Sequence, residues 1–330
     1  MPFAKDNLSG KAMGGTELMK YALEKRLDPA LLDNFQIFVS RVHEELSENH
    51  VRILWLQDLA GDPESEHLSN GGWVKFHKLV FSSQWQMRGY LERYNIPWSK
   101  CIVLPNCIEP IDFTMEDKKR DVIKLIYHTT PHRGLQILVP VFQKLQETYG
   151  TKIELDVYSS FKVYGWDQRD EPFQQLFDVC KNTPGINYYG SVSNEEIHNV
   201  LKKSHIYSYP NIWTETSCIS LMEAMSAGLV CVHPNYGALP ETAANWTHMY
   251  QWNENMSEHA NMFYTVLRNS IEDLVNISDD EYNKKIMIQK AYVDVFYNWA
   301  SRIHQWEALL GSLKDLPRAL PKPQFVYRTT

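Results

Sequence analysis

Two glutamates, Glu215 and Glu223, stand on either side of a predicted helix start near Ser220. The strand-like run "HIYSYP" ends just before Glu215, so its carboxylate is expected at the carboxyl end of a strand. A carboxylate accepts two hydrogen bonds in a fork, which suits neighbouring hydroxyls of a sugar or ribose. Free backbone N–H groups of residues 216–219 could bind a phosphate at the helix start. This stretch therefore allows binding of a nucleotide-linked sugar; the plainer alternative is one helix-capping acid and one solvated acid.

Two further stretches place glycine or arginine before a predicted helix. In "AMGGTELM" (12–19), Gly14 and Gly15 precede a helix that Thr16 would cap, and glycines let a backbone approach a ligand closely. In "HTTPHRGLQIL" (128–138), Arg133 follows a strand and could bind a diphosphate through two hydrogen bonds. The alternatives are an ordinary glycine loop and a surface arginine.

A third stretch, "YGALPETA" (236–243), occupies the same strand-to-helix position. Gly237 would permit a tight turn there, whereas Glu241 is more simply an acid at a helix start. Ligands of open α/β sheets bind at the edge where strands end and helices begin. The chemistry is therefore expected at this edge.

The composition is typical of a globular protein with two domains. The 330 residues are 44% apolar and 22% charged, with a net charge of −7. Basic residues are scattered, so a nucleic-acid partner is not expected. No run is long enough to span a membrane, and the first ten residues lack the apolar core of a signal peptide. A cytoplasmic protein with reduced thiols is predicted from the dispersed cysteines, which are Cys101, Cys107, Cys180, Cys218 and Cys231.

Short β-rich runs alternate with amphipathic segments, which predicts an α/β protein with parallel sheets. Ser193 and Glu196 form a capping box that fixes one helix start. The predicted strands are 35–40, 51–57, 78–83, 101–105, 122–128, 152–158, 186–189, 205–210 and 229–233. The predicted helices are 16–27, 83–94, 134–149, 171–181, 193–203, 219–227, 256–275 and 281–310.

This alternation implies two doubly wound domains that face each other across a cleft. The predicted parts are a short N-terminal domain (1–105), a linker (106–121), a C-terminal domain (122–280), a helix (281–310) and an extended tail (311–330). Trp73, Trp85 and Trp98 are expected in core or linker packing, and contact with a lipid surface or a glycan is left open.

The order of the motifs resembles that of a known family. The chain contains "GGTE", an arginine–glycine pair before a helix, "YGSVSNEEI", two glutamates eight positions apart followed by "EAMSAG", and "GALPE". It resembles the retaining glycosyltransferases of family 4, whose GT-B fold has two Rossmann-like domains. The resemblance spans residues 12–245 and is strongest over 122–245. The late "YNWASRIHQWEALL" (297–310) is similar to the family's closing helix, which returns to the first domain.

The resemblance implies a role for each matching residue. Glu215 would be the catalytic residue near the hydroxyls of the transferred sugar, and Glu223 would bind the ribose. Arg133 would bind the diphosphate together with His128, which stands where the family usually has arginine. The rest of the donor site would be Gly14 and Gly15 with the backbone amides of Thr216, Ser217, Cys218 and Ile219.

Several positions depart from the family's pattern. His128 is only partly charged near neutral pH unless a neighbour raises its pKa. "TSCI" replaces the usual glycine-rich segment, and its Thr216 and Cys218 side chains would reshape the sugar pocket. Gln57 and Asp58 fall where many relatives have a sugar-contacting histidine. Asp58 would be a base on the acceptor side or, more simply, would cap a loop.

The resemblance implies transfer of a sugar from a UDP- or GDP-sugar to a glycan, lipid or small-molecule acceptor, with anomeric configuration retained. Arg133 and the helix start would stabilise the leaving diphosphate, so no metal or other cofactor is expected. A front-face route fits better than double displacement, because no carboxylate stands out as a covalent nucleophile. Two alternatives stay open, namely a nucleotide-sugar epimerase of the same architecture and a non-catalytic nucleotide-sugar-binding protein.

Overall fold

The computed structural model describes Phe3 and residues 14–320. These residues form two compact units, each built on its own parallel sheet. The first unit contains residues 14–106 and 299–320 together with Phe3, and the second contains Cys107–Asn298. Two Rossmann-like α/β units agree with the predicted fold class.

The first unit has a parallel sheet that, in the described residues, contains four strands in chain order. The strands are β1 (Phe35–Val39), β2 (Val51–Leu56), β3 (Lys78–Phe81) and β4 (Cys101–Val103). The helices before the linker are α1 (Gly15–Arg26), α2 (Pro29–Leu32) and α3 (Gln84–Tyr94). β1 and β2 are buried along their whole length, as expected of a parallel sheet covered on both faces. Phe3 adds an isolated parallel bridge to Ile37.

The tryptophans of the first unit have different environments. Trp73 donates its indole N–H to the Tyr94 carbonyl at 3.1 Å. Trp85 and Trp98 are 38% and 65% exposed. Packing therefore accounts for Trp73, but it does not account for Trp98.

The second unit has a parallel sheet that contains six strands within residues 107–298, in the order β10-β9-β8-β5-β6-β7. They are β5 (Ile123–Tyr127), β6 (Ile153–Val157), β7 (Ile186–Tyr188), β8 (Ile206–Ser208), β9 (Val230–Pro234) and β10 (His248–Tyr250). The sheet grows to one side from β5 and to the other side from β8, so these two strands flank a topological switch point. β10 was not predicted.

The helices of the second unit cover the sheet between its strands. They are α4 (Leu135–Tyr149), α5 (Gln174–Asn182), α6 (Asn194–Leu201), α7 (Ile219–Ser226), α8 (Leu239–Ala243), α9 (Met256–Asn276) and α10 (Asp279–Phe296). The predicted cap of α6 is confirmed, since Ser193 Oγ accepts a hydrogen bond from Glu196 N at 3.2 Å. Short 3-10 segments include Pro131–Arg133 and Phe161–Tyr164. None of the helices in the described ranges is long and apolar enough to cross a membrane.

The segment predicted as one helix over 281–310 forms two helices, α10 and α11 (Trp299–Leu313). Tyr297 leaves the helical conformation (φ −118°, ψ 27°), and its carbonyl accepts a hydrogen bond from Ile108 N at 2.7 Å. The break falls where the chain passes from the second unit to the first. α11 extends to Leu313, into the segment predicted as a tail, and residues 321–330 lie outside the described residues.

The segment predicted as a linker, 106–121, packs on the second unit. Ile111 N donates to Ser226 Oγ at 2.9 Å. Lys118, only 2% exposed, donates to the carbonyls of Leu201 and Ser204 at 3.1 and 2.7 Å. Burial lowers the pKa of Lys118 to about 7. Much of this segment is therefore folded against α6 and α7.

Candidate functional site

Two loops meet at the switch point of the second sheet. Residues 128–134 follow the carboxyl end of β5, and residues 209–218 follow that of its neighbour β8. Ile212 N donates to the Arg133 carbonyl at 3.2 Å and links the two loops. Open α/β sheets bind their ligands at such a point.

Gly134 allows these loops to approach each other. Its φ is +130°, and a β-carbon there would stand 2.2 Å from the carbonyl oxygen of Pro210. Any side chain would push the loops apart. Gly134 therefore allows the two loops to pack together, and this packing brings Arg133 to the loop that carries Glu215.

Arg133 and Glu215 form a buried ion pair between these loops. Nη1 of Arg133 donates to Oε1 of Glu215, and Tyr209 Oη donates to the same oxygen. The side chains of Arg133 and Glu215 are 21% and 7% exposed. Burial by itself would lower the pKa of Arg133, but Glu215 and nearby tyrosines raise it well above its ordinary value. The guanidinium therefore stays charged, and two donors fix the Glu215 carboxylate.

The backbone of Glu215 is held by the "GALPE" loop. Gly237, with φ +61°, lies so close that a β-carbon would be 2.6 Å from Glu215 O and 2.8 Å from Glu215 N. Ala238 N donates to the Glu215 carbonyl at 2.9 Å. Gly237 makes the tight turn that the sequence predicts, and this turn positions Glu215.

The chain enters α7 through a strained turn. Cys218 has φ +87° and ψ +76°, a left-handed conformation that L side chains rarely adopt. Its side chain does not cap the helix. Ser217 Oγ is buried and has no hydrogen-bond partner in the part of the chain that the structure describes. The turn therefore holds polar groups that a bound anion or sugar could satisfy.

The Cys218 thiol is not a nucleophile at neutral pH. Burial, assisted by the Glu215 carboxylate, raises the pKa of Cys218 to about 12. Its Sγ lies 3.4 Å from Ser220 Oγ, and Ser220 Oγ lies 2.9 Å from Tyr207 Oη. The protonated thiol thus acts as a packing group at the start of α7.

Glu223, on α7, contacts His198 on α6. Oε1 of Glu223 lies 3.0 Å from Nε2 of His198. The hydrogen bond to Glu223 is the main cause of a raised pKa of His198, and it outweighs the opposing effect of burial. Glu223 is therefore not simply a solvated helical acid, because a histidine orients its carboxylate.

His128 follows β5 at the same edge of the sheet. Its ring centroid lies 5.0 Å from that of Tyr207. Both ring nitrogens are buried, and the backbone of Ser220 lies near the ring, but neither nitrogen makes a well-formed hydrogen bond with the described residues. Burial, partly opposed by Glu223, lowers the pKa of His128 to about 4. The ring is therefore neutral at pH 7 and adds no second positive charge beside Arg133.

Gly14 and Gly15 lie at the start of α1 in the first unit. Gly14 is the N-cap residue, in an extended conformation (φ −72°, ψ 169°) that any residue adopts. The helix begins at Gly15, so the expectation that Thr16 is the cap is wrong. The backbone angles of Gly14 do not by themselves require a glycine.

The two acceptor-side candidates are engaged within the first unit. Gln57 exchanges hydrogen bonds with Asn106, at 3.0 and 2.8 Å. Asp58 Oδ2 lies 4.0 Å from Arg41 Nε. Burial, the largest cause, raises the pKa of Asp58. Gln57 has a structural role, whereas the Asp58 carboxylate is a better proton acceptor than an ordinary aspartate.

The structure groups the second-unit candidates around the ends of β5 and β8. Sequence reasoning missed three residues of this group, namely Tyr209, His198 and Trp213. No spacing marks them, because Tyr209 follows a strand, His198 lies on a separate helix and Trp213 is one of ten tryptophans. The candidates Gly14, Gly15, Gln57 and Asp58 belong to the other unit.

Known proteins resemble this chain in sequence and in fold. The chain is 26% identical over 216 residues to the phosphatidylinositol N-acetylglucosaminyltransferase GPI3 subunit of Saccharomyces cerevisiae (strain YJM789). That alignment covers 62% of this chain and 42% of the relative, so the chain spans less than half of the relative's length.

Solved structures show the same fold. A glycosyltransferase from Rickettsia africae ESF-5 has a TM-score of 0.66 and 16% identity, covering 94% of this chain and 85% of that one. Anabaena Alr3699/HepE in complex with UDP and glucose has a TM-score of 0.61 and 13% identity, covering 90% and 82%. These likenesses confirm the GT-B class of the fold. Residues 111–276, half of the chain, match the family model "Glycosyl transferases group 1", and the protein therefore belongs to the group 1 glycosyl transferases.

Proposed function

We propose that this protein transfers a sugar from a nucleotide diphosphate-sugar to an acceptor, with retention of anomeric configuration, as in family 4. The observation that carries the proposal is the buried Arg133–Glu215 pair between the loops that follow β5 and β8. A fixed cation and a fixed carboxylate at a switch point suit a ligand that carries both phosphates and hydroxyls. Membership of the group 1 glycosyl transferases supports the same reaction class.

UDP-N-acetylglucosamine is the first donor to test. The yeast relative is named as a subunit of a phosphatidylinositol N-acetylglucosaminyltransferase, and the Anabaena neighbour was solved with UDP and glucose. Other UDP- and GDP-sugars belong in the same panel. The yeast relative's name makes phosphatidylinositol the first acceptor to test, with glycans and small molecules as further candidates.

Each site residue then has a proposed role. Oε1 of Glu215 is held by Arg133 and Tyr209, so the carboxylate is oriented for the hydroxyls of the transferred sugar. Glu223, oriented by His198, would bind the ribose. Arg133 would bind the diphosphate, and the neutral His128 ring would donate a hydrogen bond in place of a charge. The backbone amides of residues 216–219 would complete the donor site.

The proposed chemistry is a front-face displacement. The bond from the sugar C1 to the phosphate oxygen breaks, and the acceptor oxygen bonds to C1 on the same face. The acceptor proton passes to the leaving phosphate. Arg133 stabilises the charge that develops on the diphosphate, so we propose that no metal is required. Unchanged turnover after treatment with a chelator is the expected result.

On the first-unit side, we propose that Gly14 and Gly15 approach the donor phosphate or the acceptor, and that Asp58 and Gln57 lie on the acceptor side. Asp58 is the alternative base, which would take the acceptor proton in place of the leaving phosphate, and its raised pKa supports this use. The hydrogen bonds between Gln57 and Asn106 support only a positioning role for Gln57.

To test the proposal, the protein is mixed with each nucleotide sugar of a panel. Its thermal stabilisation and the release of the nucleotide are then measured. A glycosyltransferase should be stabilised by its donor, and it should release nucleotide faster when the acceptor is added. Stabilisation without release would support the non-catalytic alternative, which the neutral His128 favours. Conversion of the donor without acceptor or release would support an epimerase. No stabilisation by any nucleotide sugar would contradict the proposal.

A further inference from the structure

Trp213 is an exposed aromatic residue beside the buried ion pair. It lies two positions before Glu215 in the loop that follows β8, and it is 42% exposed. A single exposed tryptophan on a protein surface needs no explanation. Trp213 differs because its backbone is fixed and its ring borders the Arg133 guanidinium.

A buried asparagine fixes the backbone of Trp213. Asn211 is fully buried, and its Nδ2 donates to the Trp213 carbonyl at 2.6 Å. Its Oδ1 accepts a hydrogen bond from Trp213 N at 2.9 Å. Both peptide groups of Trp213 are therefore held by one buried side chain. An exposed indole on a backbone held in this way loses little conformational entropy when a ligand packs on it.

Two neighbours hold the indole ring itself. The Arg133 guanidinium carbon lies 5.9 Å from the ring centroid. The His132 ring packs edge to face against the indole, with centroids 4.8 Å apart. The same His132 ring stacks on Phe161, with centroids 5.1 Å apart. Burial, with Arg133 and Arg169, lowers the pKa of His132 to about 4, so its ring is uncharged at pH 7. Trp213 is thus the exposed end of an aromatic row that begins in the second unit's interior.

The chemistry of this surface matches one face of a hexose ring. A pyranose with equatorial hydroxyls presents axial C–H groups on its faces, and those faces bury apolar area against an aromatic ring. Its hydroxyls lie around the rim and need hydrogen-bond partners. Trp213 offers an aromatic ring that is 42% exposed, and the Glu215 carboxylate lies in the same loop.

We propose that Trp213 is the stacking platform for the pyranose ring of the transferred sugar, and this inference rests on the proposed function. The donor sugar is favoured over an acceptor ring because Trp213 borders Arg133, the proposed diphosphate ligand. Trp213 then strengthens binding of the sugar part of the donor and leaves the affinity for the nucleotide unchanged. This makes it a specificity-determining residue.

Calorimetric titration tests the proposal. The affinity of each variant is measured for the best nucleotide sugar of the panel and for the same nucleotide diphosphate without sugar. Trp213→Ala should weaken binding of the nucleotide sugar by about threefold to tenfold. It should leave binding of the nucleotide alone within about twofold. Trp213→Phe should keep most of the affinity because it keeps an aromatic face. Trp246→Ala is the matched control, since Trp246 is 45% exposed in the same unit and packs on Tyr292.

The outcomes separate this inference from the proposed function. A wild-type protein that binds none of the nucleotide sugars contradicts both. If the wild type binds a nucleotide sugar and Trp213→Ala binds it with the same affinity, the platform is refuted while the proposed function stands. If Trp213→Ala loses the same affinity for the nucleotide as for the nucleotide sugar, the platform is also refuted. If donor affinity is unchanged and only the acceptor KM rises, the platform serves an acceptor ring and the donor assignment is wrong.

Discussion

Arg133 and Glu215 are 82 positions apart in the chain, and yet they form an ion pair in which both side chains are largely buried. Each residue comes from the loop that follows one of two adjacent parallel strands, β5 and β8. Gly134 permits the approach of one loop, and Gly237 supports the backbone of the other. The pair is therefore a product of the switch-point topology.

Glu215→Gln should separate catalysis from nucleotide binding. The amide keeps the shape and can still accept a hydrogen bond from Tyr209, but it loses the negative charge beside the transferred sugar. We expect kcat to fall by about 100-fold or more, with little change in affinity for the nucleotide diphosphate. Steady-state kinetics and calorimetry measure the two quantities. A near-normal kcat would remove Glu215 from the catalytic role.

Arg133→Met should raise the donor KM and also destabilise the fold. The variant loses the proposed diphosphate ligand and leaves the Glu215 carboxylate buried without its cation. We expect a loss of about 3 kcal/mol in the free energy of unfolding. Urea denaturation measures it, with Arg169→Met, an exposed arginine of the same unit, as the control. The double variant Arg133→Met/Glu215→Gln should recover part of the lost stability. Equal losses of stability in Arg133→Met and Arg169→Met would contradict the prediction.

Gly134→Ala should be more destabilising than an alanine at an open glycine with a left-handed backbone. At Gly134 the new β-carbon meets the Pro210 carbonyl at 2.2 Å, and φ is +130°. At Gly165 φ is +72°, and nothing lies within 4 Å. We expect a loss of about 3 kcal/mol at Gly134 and about 1 kcal/mol at Gly165. Urea denaturation of the two variants measures these losses in the free energy of unfolding. Similar losses would show that the loops can separate at no cost in stability.

The contact between His198 and Glu223 should make stability depend on pH near neutrality. The pKa of His198 is raised in the folded protein, so this contact stabilises the fold fully below the unfolded pKa of about 6.5. The stabilisation is lost as the pH rises through the folded pKa. The difference in Tm between the wild type and His198→Gln should therefore shrink between about pH 6 and about pH 8.

Glu223→Gln provides the control for this pH dependence. In that background the carboxylate that raises the pKa of His198 is gone. Adding His198→Gln should then change Tm by an amount that no longer depends on pH in this range. A pH dependence that persists in the Glu223→Gln background would show that another group is responsible.

Local sequence determined the elements of this fold. The alternation of β-rich and amphipathic runs predicted each strand except β10, and Ser193 predicted the start of α6, because these signals act within a few residues. The same reasoning failed at Thr16 and at the break between α10 and α11. Gly14 caps α1 without a side chain, and the break coincides with a hydrogen bond from Ile108, far away in the chain.

Tertiary structure decided the partners of the site residues. Motif order placed Glu215, Glu223, Arg133 and His128 near one sheet edge, but no local pattern states which side chains touch. Tyr209 and His198 became partners of the two glutamates only because β8 lies beside β5 and α6 packs on α7. The charge of His128 likewise depends on burial that only the folded chain creates. Sequence spacing specifies local backbone geometry, whereas contact and desolvation depend on segments that meet only in the fold.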